Sequence, residues 1–219
     1  MGILARPGPA RDFTLDASDH LGHFAANTSM RQASLQTVRH LIDRLDASVK
    51  VGEVHAVTSQ VKTALCDLIR ANDLDIPERY VRPRNDRYAR RLLFKNRELG
   101  YTAVVMTWGP GQKTALHDHA GLWCVEGVVT GQMNVTRFDL SETVGDRFRF
   151  VHVEEVKAGV GSSGALIPPY EYHVLANALP DTPSVTLHVY GGDMNECSIF
   201  EPHADGLWTR HPKTLDYDD

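Results

Sequence analysis

The segment Gly111–Gly131 reads GQKTALHDHAGLWCVEGVVTG, and it determines how the rest of this chain is interpreted. It contains a His-x-His pair, His117 and His119, among Thr, Val, Leu and aromatic residues. On a β-strand, residues i and i+2 share a face, so the two imidazoles would stand about 7 Å apart and could converge on one metal ion. The terminal glycines are typical of turns. The pattern fits a metal site in the mouth of a small β-barrel, and equally two barrel-lining histidines without a metal.

Composition bounds the class of protein. A chain of 219 residues is long enough for one domain, or one domain with a modest extension. No stretch approaches the roughly 20 apolar residues of a membrane span, and the N-terminus lacks the apolar core of a signal peptide. The net charge of −5 does not favour a nucleic-acid partner. Three cysteines, an odd and low number, favour a reducing cytoplasm over a disulfide framework.

The first third of the chain is predicted to be an arm followed by helices. Residues 1–30 show no sustained period and are interpreted as a surface arm. A helical segment spans 34–72, with one helix over 34–47 and a second over about 53–72. Ser34 is the expected N-cap of the first helix. Its apolar stripe consists of Leu35, Val38, Ile42 and Leu45.

From residue 88 the pattern changes to short β-branched and aromatic runs separated by Gly and Pro clusters. Such punctuation predicts an antiparallel sandwich or barrel over residues 88–200. Residues 203–219 are interpreted as a C-terminal tail, and the whole chain, 1–219, as a single domain. The predicted strands are Arg90–Lys95, Tyr101–Trp108, Leu122–Thr130, Met133–Asp139, Phe148–Val156, Gly164–Ile167, His173–Ala176 and Ser184–Tyr190.

A third histidine lies in the second half of this β-region. His173 follows Pro168–Pro169, and by itself it would be interpreted as a surface-loop residue. Together with His117 and His119 it supplies a third imidazole. Three neutral histidines with open coordination positions suit a catalytic first-row divalent metal. Their spacing does not separate iron from zinc, manganese, nickel or copper.

Another line of polar residues lies on the last predicted strand. Thr186, His188 and Tyr190 alternate there and therefore share one face. An inward face would need a partner for every donor and acceptor. The alternative is an outward, solvated face.

Two arginines begin the first predicted strand. Strand alternation places Tyr88 and Arg90 on one face and Arg91 on the other. A single arginine inside the barrel would bind a carboxylate or phosphate bidentately. The alternative is that both are solvated at a strand end, and a slip of one residue would exchange their roles.

The cysteines have less distinctive surroundings. Cys124 could be a packing residue, a reactive thiol or a metal ligand. The last role is disfavoured because Cys124 lies five residues after His119, on the opposite face of a continuous strand. Cys66 and Cys197 are interpreted as packing residues.

The spacing of these residues resembles known motifs. Gly111-x5-His117-x-His119-x4-Cys124-x6-Gly131 resembles the first cupin motif, with Cys where many cupins place a metal-binding Glu. Pro168-x4-His173-x3-Asn177 resembles the second, although Tyr170 stands where Gly is usual. A Glu replaced by a residue that is not a ligand, leaving three histidines, resembles the thiol dioxygenase branch and cysteine dioxygenase in particular.

The resemblance extends over about residues 35–200. Tyr88-x-Arg90, Trp108-Gly109, Thr186-x-His188-x-Tyr190 and the two preceding helices are all similar to the cysteine dioxygenase type I family. The implied fold is mainly β, a cupin (jelly-roll) antiparallel β-barrel with an N-terminal helical segment. The resemblance is to a bacterial member of the family with Arg at the substrate-carboxylate position, and this arginine favours L-cysteine as the substrate.

The resemblance also implies roles for the site residues. His117, His119 and His173 would hold Fe(II), and Arg90, with Tyr88 nearby, would bind the substrate carboxylate. Tyr190 would orient substrate and oxygen, with His188 and Thr186 as its supporting partners. Cys124 matches a cysteine that, in the animal enzymes, is joined to the matching tyrosine by a thioether. Many bacterial relatives have Gly at that position.

The implied reaction adds both atoms of O₂ to the sulfur of L-cysteine and gives cysteine sulfinic acid. It needs no external reductant, and the sequence contains no further cofactor-binding motif. The alternatives are a dioxygenase of another small thiol acid, 3-mercaptopropionate or mercaptosuccinate, and a non-catalytic ligand-binding cupin. In the 3-mercaptopropionate enzymes Gln stands at the position matching Arg90. The expected protein is cytoplasmic, a monomer or weak homo-oligomer, whose partners are a small thiol and O₂, with no nucleic acid and no membrane.

Overall fold

The computed structural model describes residues 36–219. Three helices come first: α1 (residues 36–49), α2 (Val54–Arg70) and the short α3 (Glu78–Val81). The first two confirm the predicted helices within the described part of the chain. The predicted arm over 1–30 and the N-cap Ser34 lie outside the described residues. Among the described helices none is both long and apolar enough to cross a membrane.

Strands make up most of the remaining described chain. The predicted strands 133–139 and 148–156 are each several residues longer in the structure, and the bounds of the other predicted strands differ by at most two residues. The observed strands are β1 (Ala89–Asn96), β2 (Tyr101–Trp108), β3 (Leu116–His117), β4 (Cys124–Thr130), β5 (Gln132–Val144), β6 (Arg147–Gly159), β7 (Ser163–Leu166), β8 (His173–Asn177), β9 (Ser184–Tyr190), β10 (Glu196–Pro202) and β11 (Trp208–Thr214).

The strands form two antiparallel sets. Sheet A has five strands in the order β1-β2-β9-β4-β7, and sheet B has the order β10-β11-β6-β5-β8-β3. In sheet B, β3 pairs with β10 as well as with β8, so the set closes on itself. This architecture confirms the predicted fold class, a mainly-β antiparallel barrel preceded by a helical segment.

Sheet A is buried on both faces, and every residue of its central strands β2 and β9 is buried. Its outer face packs against the helices, and its inner face lines the barrel. On β9 the alternation is complete. Val185, Leu187 and Val189 join the helix-facing core with Leu41, Leu45, Val61 and Leu65 of α1 and α2, while Thr186, His188 and Tyr190 face the barrel.

Close packing and polar anchors fix the helices on sheet A. A Cβ placed on Gly127 of β4 would lie only 3.2 Å from Ile69 Cδ1 of α2, so a larger residue there would require the Ile69 side chain to shift. Asp46 of α1 accepts hydrogen bonds from the Tyr101 hydroxyl at 2.6 Å and from Asn96 Nδ2 at 2.9 Å. These bonds connect α1 to β2 and to the end of β1.

The C-terminal region differs from its sequence interpretation. No strand is predicted after Tyr190, yet β10 and β11 pair with each other along their whole length. β11 also pairs with β6, so residues 208–214 belong to the barrel rather than to a tail. These strands were not predicted because they contain Pro202, Pro212 and several charged residues, and proline and charged residues are depleted in strands. Only the segment after Thr214 leaves the sheet.

Candidate metal centre and substrate pocket

Three histidines from different parts of the chain meet inside the barrel. His117 of β3 and His173 of β8 are register partners, and their Nε2 atoms are 3.2 Å apart. The centroid of the His119 ring lies 5.3 Å from the centroid of the His117 ring and 5.1 Å from that of the His173 ring. One nitrogen from each ring lies within 4.8 Å of the others, so the three could hold one metal ion.

The predicted geometry of the His-x-His pair is wrong in one respect. β3 ends at His117, so the two histidines do not share a strand face. His119 lies beyond the strand, where its backbone N–H donates to Glu171 Oε2 at 3.0 Å. The chain then turns through Ala120 and Gly121, which both have positive φ. Convergence therefore comes from a turn rather than from strand alternation.

Two of the histidines have lowered pKa values, which favour the neutral form that binds a metal. Burial, followed by the charge of His119, lowers the pKa of His117 to about 3. Burial and the neighbouring histidines also hold the pKa of His173 well below its usual range. Neutral imidazoles offer lone pairs to a metal. Two nitrogens each about 2.1 Å from a shared ion at right angles are about 3 Å apart, which matches the 3.2 Å between His117 and His173. The cluster fits a divalent first-row metal.

An oxygen atom lies on the other side of each ring. His117 Nδ1 is 3.1 Å from the Ala115 carbonyl oxygen, His119 Nδ1 is 3.6 Å from Glu171 Oε2, and His173 Nδ1 is 3.8 Å from Glu126 Oε1. Sequence reasoning missed both glutamates. The signal for Glu126 was its position two residues after Cys124, which places it on the same face of β4. Burial raises the pKa of Glu126 to about 8.

Cys124 and Tyr190 lie directly opposite each other on β4 and β9. Both side chains face the barrel interior, are buried, and belong to the same core cluster. Burial and the charges of Glu126 and Glu171 raise the pKa of the Cys124 thiol well above its usual range. Burial and Cys124 do the same for the pKa of Tyr190. The alternation argument from His119 does not apply to Cys124, because the two are not on one strand.

The polar residues Thr186, His188 and Tyr190 of β9 face the barrel interior, which was one of the two alternatives predicted from the sequence. Trp108 Nε1–H donates to Thr186 Oγ1 at 2.9 Å, and Thr186 Oγ1 is 2.8 Å from His188 Nε2. His188 Nδ1 is 3.3 Å from the Tyr190 hydroxyl. The sequence-predicted residues thus form one buried hydrogen-bonded chain that ends beside the histidine cluster, since the rings of Tyr190 and His119 are 5.9 Å apart.

Arg90 lines the same cavity as the three histidines. Its Nη1 donates to the Asp216 carbonyl and its Nη2 to the Met194 carbonyl, both at 3.1 Å. The guanidinium has five N–H groups, so others are available to a ligand. Tyr88, on the same wall, stacks on Trp108 with ring centroids 4.7 Å apart.

Arg91 faces the other way. It is also buried, and its guanidinium donates to the Tyr80 and Arg82 carbonyls at 3.2 and 2.7 Å. Neither arginine is solvated at a strand end. The alternation in β1 therefore places Arg90, rather than Arg91, in the pocket.

The region after β9 supplies lining residues that the sequence did not single out. Met194, Cys197, Lys213 and Leu215 all line the cavity. Burial, followed by the charge of Asp118, raises the pKa of the Cys197 thiol to about 11. Cys197 was interpreted as a packing residue; it is buried as expected, but it packs at the wall of the pocket.

Known structures with a similar fold show low overall similarity. A protein from Thermus thermophilus superposes with a TM-score of 0.40 at 20% identity, over 52% of this chain and 90% of its own. A conserved protein with a double-stranded beta-helix domain from Klebsiella pneumoniae gives a TM-score of 0.40 at 23% identity, over 53% of this chain and 88% of its own.

Sequence similarity is more informative. Cysteine dioxygenase type 1 of Danio rerio is 27% identical over 120 residues, which are 52% of this chain and 56% of that protein. The chain thus matches about half the length of this curated relative. The profile of the family described as "Cysteine dioxygenase type I" matches residues 26–203, well over half of the chain. The chain therefore belongs to the cysteine dioxygenase type I family.

Proposed function

We propose that this protein is an Fe(II)-dependent thiol dioxygenase that converts L-cysteine to cysteine sulfinic acid. One observation carries the proposal: three converging imidazoles, two of them fully buried, and one arginine line the same small cavity. The imidazoles of His117, His119 and His173 would hold the iron. Three neutral ligands leave the site positively charged and favour binding of the substrate as a thiolate.

Arg90 is proposed to bind the substrate carboxylate. Its position is fixed by two backbone carbonyls, so little side-chain entropy is lost when a ligand binds. In a cavity shielded from water, an unpaired carboxylate would be costly, and a guanidinium can pair with it bidentately. Tyr88 on the same wall limits the space around that carboxylate.

Tyr190 is proposed to orient substrate and oxygen, supported by His188 and Thr186. The indole N–H of Trp108 can only donate, so it fixes Thr186 Oγ1 as an acceptor. The Thr186 hydroxyl proton is then directed at His188 Nε2, which leaves the His188 proton on Nδ1, facing the Tyr190 oxygen. With its oxygen accepting from His188, Tyr190 can donate its own proton towards the cavity.

The reaction is balanced without a further reagent. The substrate thiol loses its proton, both oxygen atoms of one O₂ form bonds to sulfur, and the product is the sulfinate. Iron supplies the electronic pathway by which O₂ reacts with a thiolate. The facing positions of Cys124 and Tyr190 on β4 and β9, within one buried cluster, support the proposal of a thioether between them.

The proposal is tested by metal analysis and product formation. The purified protein, loaded anaerobically with Fe(II) and mixed with L-cysteine, should form cysteine sulfinate when ¹⁸O₂ is admitted, with both labelled atoms in the product. His173→Ala should abolish iron retention and product together. A protein that forms no sulfinate from any thiol, or forms it independently of iron, would overturn the assignment.

A second substrate class is favoured by Lys213. This residue lines the cavity together with Arg90 and would be a second cation near the bound substrate. A thiol with two carboxylates, such as mercaptosuccinate, could use both. Initial rates of O₂ consumption with cysteine, 3-mercaptopropionate and mercaptosuccinate separate the candidates, because each predicts a different order of kcat/KM.

A further inference from the structure

Glu126 is the least expected side chain in the interior of this barrel. It is 9% exposed and lies on β4, two residues beyond Cys124. Its Oε2 atom has no hydrogen-bond partner among the described residues. A buried carboxyl group without partners is costly, so a native structure that keeps one calls for an explanation. The roles proposed above for the pocket residues do not include it.

The carboxyl group lies between two histidines. Glu126 Oε1 is 3.8 Å from His173 Nδ1, and Glu126 Oε2 is 3.5 Å from His188 Nδ1. His173 Nδ1 is itself buried and without a partner among the described residues. The unsatisfied His173 Nδ1 thus faces Glu126 Oε1, and the unsatisfied Glu126 Oε2 faces His188 Nδ1. A shift of less than 1 Å would bring His173 Nδ1 into hydrogen-bond range of the carboxyl group.

Ligand geometry determines which atom is the donor. His173 directs Nε2 towards the other histidines, 3.2 Å from Nε2 of His117. When Nε2 holds a metal, the neutral ring must carry its proton on Nδ1, and that proton needs an acceptor. His117 has the Ala115 carbonyl in this place, and His119 has Glu171. Glu126 is the acceptor that completes the set for His173.

The second histidine extends the same argument towards Tyr190. In the tautomer of His188 whose Nε2 accepts from the Thr186 hydroxyl, the ring carries its proton on Nδ1. The Tyr190 oxygen and Glu126 Oε2 lie 3.3 and 3.5 Å from that nitrogen and can share the proton. In its ionised form the Glu126 carboxylate offers an acceptor on each of its two oxygens, whereas an amide offers only one. Glu126 can therefore hold both imidazoles at once.

We propose that Glu126 is a positioning residue that orients His173 as a metal ligand and His188 as the partner of Tyr190. The first half concerns metal binding alone. The second half rests on the proposed thiol dioxygenase function. The chemistry is that of a carboxylate–histidine–metal arrangement, in which an outer carboxylate fixes the tautomer and the orientation of the ligand ring.

Co(II) affinity and the visible d–d spectrum test the proposal without any turnover. Glu126→Leu removes both acceptors, and we expect it to weaken Co(II) binding about 10- to 100-fold in competition with a chelator. Glu126→Gln keeps one acceptor, so it should bind with intermediate affinity and show a shifted d–d spectrum. Glu154→Gln is the matched control, because Glu154 lines the same side pocket as Glu126 but pairs with Arg137, at 2.6 Å, rather than with a histidine. It should behave as the unmodified protein does.

Three results would overturn the proposal. The first is Co(II) affinity and a spectrum in both Glu126 variants that equal those of Glu154→Gln. The second is a loss of affinity in Glu154→Gln as large as that in Glu126→Leu. The third is a second equivalent of Co(II) that disappears in Glu126→Leu, because Cys124, Glu126 and His188 would then be ligands of their own site. If Glu126→Leu does not fold, as judged by its melting transition, the Gln variant alone decides.

The outcome for Glu126 is separable from that for the proposed function. A protein that needs Glu126 for Co(II) affinity but forms no sulfinate from any thiol would contradict only the thiol dioxygenase assignment. In a protein that forms sulfinate, Glu126→Gln should lower kcat more than it raises KM for cysteine, since Glu126 does not line the substrate side of the cavity.

Discussion

Arg90 and Arg91 are neighbours in the chain with opposite surroundings. Arg90 points into the cavity, and Arg91 is held by carbonyl groups of the segment around α3. Each is buried, and each uses backbone carbonyls to satisfy part of its guanidinium. The pair therefore offers a comparison in which charge, residue type and strand are the same and only the face differs.

Arg90→Gln should raise KM for L-cysteine. Loss of a charge-assisted pair with the substrate carboxylate costs about 2 kcal/mol, or roughly 30-fold in kcat/KM. The preference should shift towards 3-mercaptopropionate. Steady-state O₂ consumption with both thiols measures this. Arg91→Gln should lower stability but leave the ratio of the kcat/KM values for the two thiols unchanged. An unchanged ratio in Arg90→Gln would mean that Arg90 does not bind the substrate carboxylate.

Cys124 and Tyr190 should become covalently joined during turnover. Bond formation removes the thiol hydrogen and one ring hydrogen, and O₂ accepts the two electrons and two protons. Intact-mass measurement after incubation with Fe(II), cysteine and air should therefore show a species lighter by two hydrogen atoms. Cys124→Ser and Tyr190→Phe should each lack that species, and Cys197→Ser should retain it. A mass change that persists in Cys124→Ser would assign the oxidation elsewhere.

The side chains with rare chemistry could be predicted from the sequence, and the supporting carboxylates could not. Three histidines, an arginine and a tyrosine at motif spacing are uncommon enough to be noticed together. Glu126 and Glu171 look like ordinary surface residues because glutamate is seldom buried. Their burial depends on the long-range pairing of β4 with β9 and on the approach of His119. Neither contact can be recognised from the residues that neighbour the glutamates in the sequence.

The strands also divide into those that could be predicted from the sequence and those that could not. β1, β2, β4 and β9 carry dense apolar or β-branched runs and were predicted within a few residues. β3 has only two residues, and it was interpreted as part of a longer strand through His119. β10 and β11 contain prolines and charges because they have exposed positions at the rim of the barrel. Pairing partners, rather than local propensity, make these segments strands.

The anchor between α1 and sheet A is a testable part of this arrangement. Tyr101→Phe removes the hydroxyl that donates to Asp46, and it should lower the free energy of unfolding by about 1–2 kcal/mol. Chemical denaturation measures the change. Tyr80→Phe is a suitable control, since its hydroxyl pairs only with the adjacent Arg79 near the surface. Its effect should stay within about 0.5 kcal/mol, and an equal loss in both variants would show that the Asp46 bond contributes nothing special.

The segment after β11 connects the last strand to the substrate pocket. The Asp216 carbonyl binds Arg90, and the ring of Tyr217 lies 5.2 Å from the Arg90 guanidinium carbon. Asp218 is 4% exposed and accepts from the Arg90 backbone N–H and from the side chains of Arg84 and Arg87. The carboxylate therefore holds this segment in place against three parts of the β1 region.

Asp218→Ala should raise KM for cysteine several-fold and change kcat less, because the released segment no longer fixes Arg90. Burial raises the pKa of Asp218, but hydrogen bonds from Arg87 and Arg90 outweigh it and lower the pKa overall. This contribution is complete above the usual carboxyl pKa of about 3.9 and is lost as the pH falls further. Melting temperatures from pH 7 down to 3 should therefore converge for the two proteins. A gap that widens on acidification would contradict the assignment.

Sheet A is the feature with the widest consequence. A single layer of backbone separates the helices from the histidine cluster. Along this layer, residues that contact α1 or α2 alternate with Cys124, Glu126 and Tyr190. Volume changes on the helix side, for example at Gly127 against Ile69, alter the packing on the strands that carry the residues of the pocket. Variation in substrate use can thus arise in positions that never touch a ligand, and a directed-evolution library limited to the cavity wall would miss them.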